Sequence, residues 1–208
     1  ANYFNPERIQ FGALRVLNDD IIAPGRGFGT HPHDNMEIIT IPLEGSLEHK
    51  DSMENIGVIE KDEIQVMSAG SGVSHSEYNK SKEEPVSLLQ IWIFPKKQNV
   101  TPRYDQKNLK ELQKMNSLYP IVTPNKSGSG MWIHQDAWLH MGHFNKPASF
   151  EYRINKKGNG VYTFVIEGRA KISENTLDKR DALGIWDTED FNISVDKSTK
   201  LLLIEVPH

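Results

Sequence analysis

Two short polar doublets, His31-Pro32-His33 and His75-Ser76-Glu77, constrain this chain more than any other feature. Each has i, i+2 spacing, and His75 comes 42 positions after His33. Successive side chains of a β-strand alternate between faces, so both members of each doublet point the same way. Two strands carrying such doublets can gather three imidazoles and one carboxylate around one metal ion. Nitrogen and carboxylate donors without thiols suit iron(II), manganese, nickel, copper or zinc.

The surroundings sharpen that reading. The first cluster is Gly25-x5-His31-x-His33-x3-Glu37-x7-Gly45, and the second is Asp62-x7-Gly70-x-Gly72-x2-His75-x-Glu77. Glycines allow tight turns around ligand-bearing strands. A lone His-x-His is common and usually a solvated or hydrogen-bonded strand residue. Two doublets beside glycine-rich turns are far more specific.

The 208 residues allow one large or two small domains. Hydrophobic residues make up 37% and charged residues 25%, which is the balance of a folded rather than a disordered chain. The net charge of −4 gives no basic surface for nucleic acid or an anionic membrane. The absence of cysteine excludes disulfides, iron–sulfur clusters and thiol catalysis, and fits a reducing, cytoplasmic compartment. The longest apolar stretches are strand-length, and no secretory signal opens the chain. The chain starts at Ala1, not Met, in mid-pattern, so the true N-terminus is expected upstream.

Strand-like runs alternate with turn signals: Glu37–Ile41 before Glu44-Gly45, Ile64–Met67 before Ala69-Gly70-Ser71-Gly72, Ser87–Phe94 before Pro95. This spacing predicts an all-β sandwich or barrel. Asp105–Met115 is the best helix candidate, with Leu109, Leu112 and Met115 three apart and lysines between them. A flexible segment with Pro120, Pro124 and residues 125–130 follows, and the chain divides into domains 1–115 and 116–208. The second half again reads as strands, at 137–144, 160–166, 170–172 and 201–206. Ile41-Pro42-Leu43-Glu44-Gly45 and Phe164-Val165-Ile166-Glu167-Gly168 suggest a degenerate duplication. Nothing like His31-x-His33 precedes the second copy, so only the first domain is expected to hold metal.

Longer stretches resemble the pirin family of bicupins. They are Phe28-Gly29-Thr30-His31-Pro32-His33, residues 44–52 (EGSLEHKDS), residues 67–77 (MSAGSGVSHSE), Leu89-Gln90-Ile91-Trp92, Pro102-Arg103-Tyr104 and His134-Gln135-Asp136-Ala137. The resemblance spans nearly the whole chain. It implies two antiparallel β-barrel (jelly-roll) domains joined by a short helical linker, with Fe(II) in the first. The ligands it implies are His31, His33, His75 and Glu77. A general cupin would instead use Glu37, which the pirin pattern leaves as a supporting or structural strand residue.

Other residues have plainer readings. His49, at i+2 from Leu47, is either a plain strand hydrogen-bonding residue or one that orients a ligand, and the plain reading is preferred. His140 and His143, at i, i+3, cannot share a strand face and read as surface or packing residues. Trp92, Trp132, Trp138 and Trp186 read as packing residues. Gly158-x-Gly160 precedes a strand, so it is no nucleotide loop. Arg103, Lys107, Lys110 and Lys114 read as a solvated helix face. Phe28, Gln65 and Met67 are candidates to line the first cavity.

Four protein ligands leave open positions for dioxygen or a chelating substrate oxygen. The resemblance implies quercetin 2,3-dioxygenase activity, in which a flavonol and O2 give a ring-opened depside and carbon monoxide. Glu77 would then be the catalytic base toward the 3-hydroxyl. The rival reading is a non-catalytic iron-containing sensor with a protein partner, a transcription factor or metabolic enzyme, and no direct contact to nucleic acid or membrane. Fold alone does not decide between them.

Overall fold

A computed structural model describes residues 5–208. The expectation attached to the opening Ala1–Phe4 lies outside the described residues. The chain separates into two compact units. One contains the residues up to Gln10, Leu14–Glu111 and Ile133–Gln135; the other contains Phe11–Ala13, Leu112–Trp132 and Asp136–His208.

The first unit has nine strands: β1 (Leu14–Ile22), β2 (Gly27–His33), β3 (Glu37–Glu44), β4 (Ser46–Asp51), β5 (Ile56–Glu60), β6 (Glu63–Ser68), β7 (Val73–Asn79), β8 (Val86–Ile93) and β9 (Arg103–Asn108). They form a five-stranded sheet, β1-β8-β3-β6-β9, and a four-stranded sheet, β2-β7-β4-β5. All these pairings are antiparallel. Directly paired residues share a face, so register alone sorts the interior.

Ile38, Met67, Ala69 and Val73 form one buried apolar cluster, with Trp92 packed against it. Ile22, Leu47, Ile59, Val86 and Leu88 form another. Thr40 pairs with both Gln65 and Gln90, and lies between Ile38 and Pro42 in the alternation of β3. A layer of buried polar side chains is thus inserted between two apolar ones. Burying amides and carboxylates is costly unless they find partners, so such a layer signals a site.

The second unit repeats the plan. Its strands are β10 (Leu118–Thr123), β11 (Met131–Trp132), β12 (Trp138–Phe144), β13 (Ala148–Arg153), β14 (Asn159–Glu167), β15 (Ala170–Ile172), β16 (Asn175–Leu177), β17 (Ala182–Ile185), β18 (Asp190–Val195) and β19 (Thr199–Pro207). The sheets are β11-β10-β12-β19-β14-β17 and β13-β18-β15-β16. Its core includes Phe144, Val161, Val165, Ile193, Leu201 and Leu203. The architecture is a bicupin of two antiparallel β-barrels, as expected.

The helical linker is a correction. No α-helix occurs among the described residues, and residues 103–108 form β9 on the edge of the five-stranded sheet. Its register runs Arg103↔Ser68, Tyr104↔Met67, Gln106↔Gln65 and Lys107↔Ile64. A ladder of backbone hydrogen bonds outweighs the weak helical propensity of Asp105–Met115. Only a single 3-10 turn, Leu109–Glu111, remains. Leu109 anchors it, being buried with its N–H donating to the Asp62 carbonyl. Arg103 and Lys107 therefore lie on a strand rather than a helix face. Trp186 also departs from expectation: it is 51% exposed and stacks on His208 with ring centres 5.0 Å apart. No helix of the described residues is long and apolar enough to cross a membrane.

Candidate metal centre

The clustering of the two doublets depends on one irregularity. In the β2–β7 pairing, Phe28 lies opposite Glu77 and His31 opposite His75, so Gly29 and Thr30 together face Ser76. This bulge inserts one residue and reverses the alternation of β2. Without it, Phe28 opposite Glu77 would place His31 opposite Ser74 and turn both β2 histidines to the other face. With it, His31 and His33 join His75 and Glu77 on the interior face.

The three imidazoles form a tight triangle. Ring centres are 4.9 Å apart for His31–His33, 4.4 Å for His31–His75 and 4.9 Å for His33–His75. One nitrogen from each lies within 4.8 Å of the others. His31 Nδ1 is 2.8 Å from the Gly29 carbonyl. A carbonyl only accepts, so this nitrogen carries the proton and Nε2 is left with its lone pair. The Nε2 atoms of His33 and His75 are buried with no hydrogen-bond partner. Among the described residues a second donor group, His49, His75 and Glu77, shares His75 with the first. Both groups belong to the first unit.

Glu77 is anchored through Oε2. Trp92 Nε1 donates to Gln90 Oε1 at 3.2 Å, which fixes the orientation of that amide. Gln90 Nε2 then donates to Glu77 Oε2 at 2.7 Å. Glu77 Oε1 is buried and has no partner. The Trp92 indole also meets His33 edge-on at 4.8 Å. The interior carboxylate of the second unit behaves oppositely. Fully buried Glu205 accepts from Tyr152 Oη at 2.8 Å, Asn155 Nδ2 at 2.7 Å and Asn159 Nδ2 at 2.9 Å. It has no oxygen to spare.

The electrostatics fit a cation site. Burial, with His31 nearby, lowers the pKa of His33 to about 4. Burial, with His31, His33 and His49 nearby, lowers that of His75 to about 3. Burial raises the pKa of Glu77, opposed by the Gln90 hydrogen bond. His33 and His75 are therefore neutral and can act as donors at ordinary pH. Buried polar atoms without partners cost free energy, and a divalent ion among them removes that cost.

Glu37 lies on the opposite face of β3 from Thr40. It is buried and accepts from Ser68 Oγ at 2.7 Å. Burial lifts its pKa to about 7, against the pull of Ser68, Arg103 and the His134 backbone. It belongs to neither donor group. Of the candidate lining residues, Phe28 is 46% exposed, whereas Met67 and Gln65 are fully buried. Both side-chain atoms of Gln65 lack a partner. His140 lies 3.3 Å from Tyr152 Oη, and His143 lies 2.6 Å from Gln113 Nε2. These are packing roles.

His49 is a hydrogen-bonded strand residue with partners on two sides. It is fully buried, its Nδ1 is 3.4 Å from His75 Nδ1, and its Nε2 is 3.3 Å from Asp51 Oδ2. Sequence reasoning passed over Asp51 and Gln90. Gln90 was visible as the one amide in a mostly apolar run, residues 86–93 (VSLLQIWI). Asp51 follows His49 at i+2 on β4, the spacing of the two doublets, but its place opposite His75 is a cross-strand property.

Comparison with known proteins gives the family. Residues 1–93 match the profile of the family described as Pirin, and residues 120–206 match one described as the quercetinase C-terminal cupin domain. A protein of Escherichia coli K12 named quercetin 2,3-dioxygenase is 39% identical over 207 residues, covering 100% of this chain and 88% of that protein. The chain belongs to the pirin family.

A pirin-like protein of Caulobacter vibrioides is 32% identical over 206 residues, covering 99% of this chain and 88% of that one. Among solved structures, the E. coli pirin YhhW in complex with nickel(II) superposes with a TM-score of 0.92 at 38% identity. That match covers 100% of this chain and 88% of the other. A quercetin 2,3-dioxygenase from Acinetobacter baumannii has a TM-score of 0.84 at 20% identity, covering 97% and 71%. It shares the fold.

Proposed function

We propose that this pirin is a metal-dependent quercetin 2,3-dioxygenase. In this reading His31, His33, His75 and Glu77 hold one divalent ion, with iron(II) the natural choice and manganese, nickel, copper or zinc able to occupy the same donors. The observation that carries the reading is the set of three buried atoms without partners: His33 Nε2, His75 Nε2 and Glu77 Oε1. A resident cation explains why folding tolerates them together. The ligand-bearing domain, 1–115, and the domain without ligands, 116–208, belong to the same proposal, as do a cytoplasmic location and the absence of nucleic-acid or membrane contact.

The bound ion supplies Lewis acidity toward the vicinal oxygens of a flavonol and a redox centre for dioxygen. The chain contributes the rest. Glu77 Oε2 would stay anchored to Gln90, while Oε1 would leave the ion to accept the proton of the 3-hydroxyl. Glu77 then returns that proton to the product, which leaves the carboxylate as it began. The flanking apolar clusters exclude water from the flavonolate. One quercetin and one O2 give one depside and one carbon monoxide, with no external reductant.

The test is to load the protein anaerobically with iron(II), admit O2 and quercetin, and follow flavonol absorbance and carbon monoxide together. Equimolar loss and release, abolished in Glu77→Ala, is the expected result. Stoichiometric metal binding with no turnover would remove the enzyme reading and leave the sensor reading.

A further inference from the structure

A buried relay stands behind one of the metal-facing histidines. On the β4–β7 register, Asp51 lies opposite His75 and His49 opposite Glu77, all on the interior side. Asp51 Oδ1 accepts from the backbone N–H of Met53 at 2.9 Å and of Asn55 at 3.0 Å, and from Asn55 Nδ2 at 3.1 Å. Its Oδ2 accepts from Asn55 Nδ2 at 2.9 Å and faces His49 Nε2 at 3.3 Å. Although burial opposes it, these donors hold the carboxyl below the usual carboxylate range. Tyr104 covers the opposite flank of His49, with ring centres 4.9 Å apart.

The direction of every proton in the chain follows from its end. A carboxylate only accepts, so His49 Nε2 carries a proton and His49 Nδ1 holds a lone pair. His75 Nδ1 lies 3.4 Å from that lone pair and is the donor to it. His75 Nε2 is then unprotonated, and this is the atom left buried without a partner.

We infer that Asp51 and His49 are positioning residues that lock His75 in the Nδ1–H tautomer and so present Nε2 to the metal. The inference rests on the metal reading above and adds two residues to it. Outer partners of this kind typically contribute about 10- to 100-fold in metal affinity. Asp51→Asn is a nearly isosteric test. Two backbone N–H groups claim the Oδ1 position, so the new amide nitrogen faces His49 and reverses the donor direction. His49 Nδ1–H would then point at His75 and force a proton onto His75 Nε2. His49→Gln keeps both a donor and an acceptor and should restore the relay.

The experiment uses the full chain and zinc(II) as a diamagnetic probe. Affinity is measured by chelator competition, and the His75 tautomer by long-range 1H–15N correlation with and without zinc. Wild type is expected to show His75 Nδ1–H in both states. Asp51→Asn should lose at least tenfold in affinity and show the Nε2–H tautomer without zinc, while His49→Gln stays within about threefold of wild type. Unchanged affinity and tautomer in Asp51→Asn would overturn the relay. So would a metal-bound Nδ1 in the wild type. If the wild type binds no zinc, iron or nickel, the metal reading fails, and the zinc-free tautomer still decides the relay.

Discussion

Gln90 Nε2 donates to Glu77 Oε2 at 2.7 Å, and the other oxygen of Glu77 is left without a partner. A carboxylate tethered by one oxygen is aimed without being neutralised. Gln90→Leu removes the tether and also orphans Trp92 Nε1, which donates to Gln90 Oε1. The expected losses are about 1–3 kcal/mol in stability and about 10- to 100-fold in metal affinity, read by denaturant titration and chelator competition. Affinity equal to wild type would show that Glu77 is positioned by something else.

Gln65 is the converse case: its buried amide has neither donor nor acceptor satisfied by protein. Such a group suits a polar substituent of the substrate better than it suits folding. Gln65→Met should stabilise the metal-free protein by about 1–2 kcal/mol, a rise of roughly 2–8 °C in Tm. The same change should raise KM for the flavonol about tenfold. A lower Tm together with an unchanged KM would assign Gln65 to packing instead.

The pH dependence of the metal-free protein contains two opposed contributions. His33 and His75 have folded pKa values of about 4 and about 3, below the ordinary 6.5, so the unfolded chain binds more protons between those values and 6.5. Their contribution is present above pH 6.5 and is lost as pH falls toward 3. Glu37, raised from 4.5 to about 7, acts the other way, because the folded state binds the extra proton. Its contribution is present below 4.5 and is lost as pH rises through 7. Glu37→Gln should therefore steepen the rise of stability with pH between 4.5 and 6.5, measured as the urea midpoint at each pH. A profile parallel to wild type would contradict this assignment.

Gly57 sits under the ring that covers His49. A Cβ there would lie 2.5 Å from Tyr104 Oη and 3.2 Å from Gln106 Oε1. Gly57→Ala should cost about 1–3 kcal/mol by overpacking and displace Tyr104 from His49. Metal affinity should fall with it; a stability loss without an affinity loss would uncouple Tyr104 from the centre.

How much of this was legible in the sequence follows the range of the interactions. His75 and Glu77 lie on a regular strand, so i, i+2 alternation placed them correctly on one face. The same alternation placed His31 beside His33. It could not show that a bulge at Gly29–Thr30 turns that pair toward His75, because a bulge is a property of two strands. The short runs flanked by glycine and proline read correctly as strands. Residues 105–108 did not, because pairing with Glu63–Ser68 overrides a three-residue apolar spacing. The i, i+2 spacing puts His49 and Asp51 on one face of β4, but that Asp51 lies opposite His75 and that Gln90 reaches Glu77 are set by cross-strand register, which no local pattern encodes.

The most direct test of the metal centre is anomalous diffraction at the iron edge from crystals of the protein loaded anaerobically with iron(II). The account requires one peak per chain, bounded by the Nε2 atoms of His31, His33 and His75 and by Glu77 Oε1, and lost in His75→Ala. No peak there, or a peak held by Glu37 or by residues of the second unit, would contradict it.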